Sequence, residues 1–294
     1  MKTDFEEDER RTGDHDHQRM KMMAEANYRA FGASGSPGAD QLPRVAIPGA
    51  LPETEMRYWR VSMLRSLDEL RLSYALRCRV YCEERGFLAL TDYPDGVEKD
   101  EFDDHSLHFG SFDGTGEMVG SARLVLRGPR GFPMFNHCTI EPQWQERLEG
   151  IPTLVEISRL VVSRQYRRRA NDGYYGIQAP GNDVPDRRQA ERDQTDRRQQ
   201  FSVAISLFKG MYHAAWHLKL THALSAMELT LLRLLQRYHF PFEKIGPQCD
   251  YFGPVTPFIL DVAQTEQRLA ADAPDLLQEF HQGLDASEAA ALVV

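Results

Sequence analysis

The 294-residue chain has little cysteine, no excess of positive charge and no long apolar run. Its four cysteines, Cys78, Cys82, Cys138 and Cys249, are too few and too scattered for a disulfide framework. Neither a paired Cys-x-x-Cys nor a His-Glu-x-x-His is present, so no metal site is expected. A formal net charge of −9 opposes the basic surface that nucleic-acid binding requires. No stretch of about 18 apolar residues occurs, so no membrane span is expected. The N-terminal residues carry no apolar segment of the kind that marks a signal peptide. Together these absences lead to the expectation of a reduced, cytoplasmic protein.

Residues 1–55 begin polar and turn rich in Gly, Pro and Ala, which reads as a flexible tail. A domain is expected over residues 56–263, with a C-terminal helix or tail of modest importance over 264–294. Within the domain, residues 164–200 hold nine arginines and six acids among Gly, Pro, Gln and Asn, and read as a mobile insertion.

The apolar spacing of Leu67, Leu70, Tyr74, Leu76, Val80 and Tyr81 predicts a helix over 65–85, stopped by Gly86. Tyr93-Pro94-Asp95-Gly96 marks a turn. Strands are expected over Ser106–Phe112 and Glu117–Leu126, joined through Asp113-Gly114-Thr115-Gly116. Thr153–Ser163 reads as a central strand because both of its faces are mostly apolar. A helix follows from Phe201, a strand over His222–Met227, a short helix over Glu228–Tyr238 and a last strand over Phe258–Val262. That order suits a mixed α/β sheet with helices packed on it.

Charge inside these elements is the informative feature. Glu156 and Arg159 interrupt the central strand, and Arg123 sits among apolar neighbours on the strand before it. Arg77 lies on the first helix, while Asp100 and Asp103 run straight into a strand at EKDEFDDHSLHF. Buried ionised groups cost several kcal/mol each unless paired, so these six side chains are expected to meet, with arginine forks on carboxylates. One reading is a structural ion network. The sharper one makes Glu156 a general base, directly or through a water, in a cleft that raises its pKa.

The order Arg77-x3-Tyr81-x5-Phe87, Asp100-Glu101-Phe102-Asp103, Gly120-Ser121-Ala122-Arg123 and Glu156-Ile157-Ser158-Arg159 resembles the acyl-homoserine-lactone synthases, with Tyr81 for Phe and Phe87 for Trp. CEERGF, DYPDGVEKDEFDDHSLHF, VGSARLVL, EISRLVVSRQYRRR and IGPQCDYFG are more similar to the PEP-CTERM/exosortase system-associated acyltransferases, relatives of the N-acyl amino acid synthases. The resemblance covers roughly residues 65–260. It implies an α/β fold of the GNAT acyl-CoA N-acyltransferase type, with a mostly antiparallel sheet, flanking helices and a splayed central strand pair. It also implies an acyl-phosphopantetheine donor on acyl carrier protein, coenzyme A being the lesser candidate, no tightly bound cofactor, and a small amine acceptor. Glu156, Ser158 and Arg159 are then the catalytic candidates, with backbone amides near Arg159–Leu160 as oxyanion donors. Arg77, Tyr81, Phe87, Asp100, Asp103 and Arg123 are the substrate-binding candidates. Strict alternation would put Glu156 and Arg159 on opposite faces, and a bulge near Ile157–Leu160 would relax that.

Two departures qualify the likeness. The loop after the central strand has no glycine until Gly173, so Arg164, Arg167, Arg168 and Arg169 replace a glycine-rich phosphate loop. Around Phe252-Gly253-Pro254-Val255, relatives tend to carry a His-Gly-x-Arg turn whose polar side chains are missing here. The alternatives are a lactone synthase using S-adenosylmethionine and a non-catalytic binding module of the same shape. His105, His108 and His137 read as structural histidines, with His108 the most suspect because it lies within the strand after the acid run.

Overall fold

Ser66 starts the first helix through a reciprocal cap. Its hydroxyl accepts the Glu69 N–H at 3.2 Å, and the Glu69 carboxylate accepts the Ser66 N–H at 3.0 Å. In the computed structural model, which describes residues 54–56, 59–151, 153–166 and 203–284, this helix (α1, Leu67–Cys78) widens into a π-helical turn over Arg79–Glu84 and stops at Gly86, whose φ is 63°. The expected tail over 1–55 lies almost wholly outside the described residues. Its last two residues, Thr54 and Glu55, belong to strand β1, Thr54–Met56, which pairs with β2, Trp59–Leu64.

The hairpin forms where the sequence places it. β3 (Ser106–Phe112) and β4 (Met118–Leu126) pair in antiparallel register, and the Asp113 carboxylate accepts the Thr115 and Glu117 N–H groups at 2.9 and 3.0 Å in the turn. After helix α2 (Pro142–Glu149) comes β5, Leu154–Val162, fully inside the sheet. Helix α3 over 203–217, β6 (His222–Met227), α4 (Leu229–Arg237), β7 (Glu243–Lys244), β8 (Cys249–Asp250) and β9 (Pro254–Asp261) follow. The expected start of α3 at Phe201 lies outside the described residues.

The sheet runs β1-β2-β3-β4-β5-β6-β9-β7, with β8 beside β9. Every described neighbour pair is antiparallel except β5 and β6, which run parallel. This is the mixed, mostly antiparallel sheet with flanking helices that the GNAT fold requires. β5 and β6 pair only over Leu154–Glu156 and His222–Leu224, after which β5 leaves its neighbour while β6 continues along β9 to Met227. That divergence is the splayed central pair.

Two boundaries differ from expectation. β9 starts at Pro254, four residues before the expected strand, although it contains Pro257. A proline removes one ladder donor, which argues against a strand in sequence. Here the Pro257 carbonyl still accepts the Ile245 N–H at 3.0 Å. The C-terminal residues are more than an appendage: α5 (Val262–Asp272) and α6 (Pro274–His281) place Phe280, fully buried, in the largest apolar core, and its carbonyl accepts from His213 Nε2 at 2.8 Å.

The segment after β7 lies tightly against the one before α2. A Cβ on Gly246 would stand 2.1 Å from the Thr139 carbonyl oxygen, while the Ile245 carbonyl accepts the Glu141 N–H at 2.9 Å. The Thr139 backbone on one side and the Pro257 ring, 2.9 Å away, on the other leave nothing flexible to yield. Gly246→Ala is therefore expected to lower stability by about 1–3 kcal/mol, read as a lower urea midpoint at unchanged m-value.

Candidate active site

The acid run resolves into an inner and an outer set. Glu98 and Asp103 are buried and Asp100 is largely so, whereas Lys99 and Asp104 pair with each other at the surface at 2.9 Å. The loop holds itself in shape: Asp103 accepts the Asp100 N–H at 2.8 Å, and Asp100 accepts the Phe102 N–H at 2.9 Å. That local geometry points three carboxylates at the sheet.

Three arginines meet them. Arg77 forks onto Asp103 at 2.7 and 3.1 Å and also donates through Nε to Glu98. Arg123 forks onto Asp100 at 2.6 and 2.8 Å, reaches Asp103 at 2.6 Å and donates through Nε to the Ser158 hydroxyl at 2.9 Å. Arg159 bridges Glu98 at 3.0 Å and Asp100 at 3.0 Å. Bidentate, charge-assisted bonds of this kind offset much of the desolvation that burial imposes. Burial alone would raise the Asp103 carboxyl, but Arg77 and then Arg123 hold it well below the usual carboxylate range. Burial likewise opposes ionisation of Glu98 and Asp100, and the arginines win in both, lowering them.

A pH dependence follows. These folded-state pKa values lie below the unfolded ones, so the network's stabilisation is present above the unfolded carboxylate range and fades as pH falls through the folded values. Thermal melts from pH 6 down to pH 3 are expected to show a steep loss of stability beginning near pH 4.5. A flat profile over that range would contradict the paired state.

Glu98 takes the place that sequence assigns to Glu156. Position alone, among several acids of one run, does not reveal which of them turn inward. Glu156 stands apart from the ion pairs: it is 1% exposed, one oxygen accepts the Met134 N–H at 2.9 Å, and the other has no partner. Burial pushes its carboxyl up to about 8, against the pull of the Met134 N–H and then of Arg123.

A bulge brings Arg159 onto the side of these groups. Arg123 faces Ser158 and Ser121 faces Val161, so β5 carries one more residue than β4 across that interval. Arg159 takes the left-handed conformation there, with φ 53°. A β5 bulge was the condition for Glu156 and Arg159 to serve one site, and it falls within Ile157–Leu160. Arg159 lies between two rings, 5.5 Å from the centre of Tyr81 and 5.1 Å from that of Phe252. The π-helical turn supplies Tyr81. The turn at 252–253, where Phe252 has φ 55° and Gly253 φ 104°, supplies the other face. At this turn the chain presents an aromatic surface, Tyr251 beside Phe252.

The gap between β5 and β6 opens into a cleft. Glu156, Ser158 and Arg159 line one wall and Ser225 and Met227 the other, with Tyr81, Phe87 and Tyr251 around them. On the β6 side, β5 beyond Glu156 has no strand partner, so its backbone faces the cleft. Of the sequence candidates, Arg77, Asp100, Asp103 and Arg123 thus form the ion network behind the cleft, and Tyr81, Phe87, Glu156, Ser158 and Arg159 border it. Arg164 is exposed on a short helical turn after β5. Arg167, Arg168 and Arg169 lie outside the described residues. His108 is buried, its Nε2 3.2 Å from the Asp103 carbonyl, and serves the acid loop rather than the cleft. Phe252, Tyr251 and Met134 escape sequence reasoning because their roles depend on loops that only the fold brings to β5.

Residues 76–175 match the acetyltransferase (GNAT) domain. Among curated proteins, none matches the sequence significantly. Similar solved structures include FeeM, an N-acyl amino acid synthase from uncultured soil microbes, at 16% identity over 72% of this chain and 95% of that one, TM-score 0.47. They also include BjaI, a coenzyme A-dependent acyl-homoserine lactone synthase, at 18% over 73% and 81%, TM-score 0.44. A third is the lactone synthase LasI, at 13% over 70% and 90%, TM-score 0.43. The match runs from the end of the first helix through the acid loop to β3, β4 and β5, and it supports an acyltransferase of the GNAT type.

Proposed function

We propose that this domain transfers a medium- or long-chain acyl group from an acyl-carrier-protein thioester to the amine of an amino acid or a related small molecule. The observation that carries the reading is Glu156: a buried carboxyl without an arginine partner, beside the gap where β5 leaves β6. An ammonium must lose a proton before it can attack, and a base with a pKa of about 8 is matched to that task near neutral pH.

The pantetheine arm enters between the splayed strands. The amine nitrogen attacks the thioester carbonyl carbon, and Glu156, directly or through a water, takes the amine proton. Backbone N–H groups of the unpaired stretch near Arg159–Leu160 stabilise the oxyanion. The C–S bond then breaks, and the proton passes to the departing thiolate. Arg159, clamped by Glu98, Asp100 and two rings, shapes the acceptor side. Arg164, with Arg167, Arg168 and Arg169, meets the phosphate and the acidic carrier. The aromatic turn at Phe252 favours an acceptor other than one read by a polar turn. The sequence likeness to exosortase-associated acyltransferases favours the amino-acid reading over lactone synthesis.

The test is incubation of the purified chain with acyl-carrier thioesters of varied length and a pool of amines. An enzyme-dependent amide in the mass spectrum, formed faster from carrier protein than from coenzyme A, is expected. No amide from any donor would overturn the proposal.

A further inference from the structure

Two thiols that the proposed chemistry does not use lie against each other. Cys138 Sγ and Cys249 Sγ are 2.6 Å apart, although 110 residues separate them in the chain. Cys138 is buried and Cys249 half-buried. At that separation the sulfurs are inside van der Waals contact, and Cys249, the more exposed of the two, is the one a small oxidant reaches first. Cys78 and Cys82 provide the contrast: both are buried, their sulfurs are 3.8 Å apart one helical turn from each other, and burial raises Cys82.

The pair sits where two loops of the cleft meet. Cys138 follows His137, whose ring stacks on Tyr251 at 3.9 Å, and lies four residues after Met134, which donates to Glu156. Cys249 pairs with Val255 in the small hairpin that carries Tyr251 and Phe252. Gly246 already presses this backbone onto Thr139.

We propose that Cys138 and Cys249 form a reversible disulfide that fastens the Tyr251–Phe252 hairpin to the loop holding Glu156. With a small-molecule disulfide as oxidant, the Cys249 thiolate attacks one of its sulfurs and expels one thiolate. The Cys138 thiol then attacks the Cys249 sulfur of the mixed disulfide, expels the second thiolate and gives up its proton. Two protein thiols are oxidised and one small disulfide is reduced to two thiols.

The experiment equilibrates the full chain in glutathione buffers of graded poise, blocks free thiols by alkylation and maps linkages by mass spectrometry of the digest. A linked pair of peptides containing Cys138 and Cys249 is expected, with Cys78 and Cys82 still alkylated. The oxidised form is expected to melt roughly 10 °C higher than the reduced form, since the closed loop is long. The shift should vanish in Cys249→Ser, which stays folded. Full alkylation of Cys138 and Cys249 under oxidising poise, or a Cys78–Cys82 linkage in their place, would overturn the proposal. Because the readout is the linkage itself, it stands or falls separately from the acyl-transfer reading.

Discussion

Glu156→Gln is expected to lower the rate of amide formation by about 10²–10⁴-fold, the usual contribution of a positioned general base. The amide is the same size as the carboxyl and still accepts from Met134, so the loss is chemical rather than architectural. The same substitution is expected to stabilise the protein in mild alkali. The Glu156 carboxyl is raised to about 8 in the fold from 4.5 when unfolded. Its neutral form is therefore tolerated at low pH, and stability drains away as pH rises from about 4.5 through 8. A shift of that size corresponds to an effect on the order of 4 kcal/mol, which Gln does not incur. Melts at pH 8.5 should thus show the variant above the parent, while the two approach each other near pH 4. Equal melting at all pH values would show that Glu156 is not held in a desolvated site.

Arg123→Ala carries the second large effect, this time on stability. Arg123 is fully buried and serves Asp100, Asp103 and Ser158 together. Its removal leaves two carboxylates facing each other with one charge too few, and breaking a buried pair from one side costs about 3–5 kcal/mol. The melting temperature should fall by roughly 6–20 °C. Arg123→Lys should recover only part of this, because one ammonium cannot fork onto Asp100 while donating to Ser158. A loss within about 1 kcal/mol for Arg123→Ala would show that water reaches the network and screens it.

Much of this site is legible in the sequence because its elements are short-range. Asp113-Gly114-Thr115-Gly116 fixes the β3–β4 hairpin, and period-two alternation then places Arg123 among apolar neighbours. Charge within the apolar β5 stretch marks Glu156 and Arg159 for special treatment. Even the bulge is foreseeable, as the way to reconcile these two with one cleft. What escapes is long-range. Glu98 has no arginine near it in the chain and Glu156 has Arg159 three residues on, yet only the fold shows that Glu98 takes the arginines while Glu156 keeps its raised pKa. Phe252 reaches Arg159 through a turn with two positive φ angles, a geometry that a Phe-Gly-Pro run does not announce. Phe280 enters the main core from the last helix, and no local pattern distinguishes it from a surface residue of a terminal segment.

The most direct test of the central claim, that Glu156 takes the amine's proton inside the β5–β6 cleft, is single-turnover acyl transfer followed from pH 6 to pH 9.5. With the parent protein the rate is predicted to climb tenfold per pH unit and level off near pH 8. With Glu156→Gln it should be slow throughout and lack that bend. Superimposable profiles for the two proteins would contradict the account.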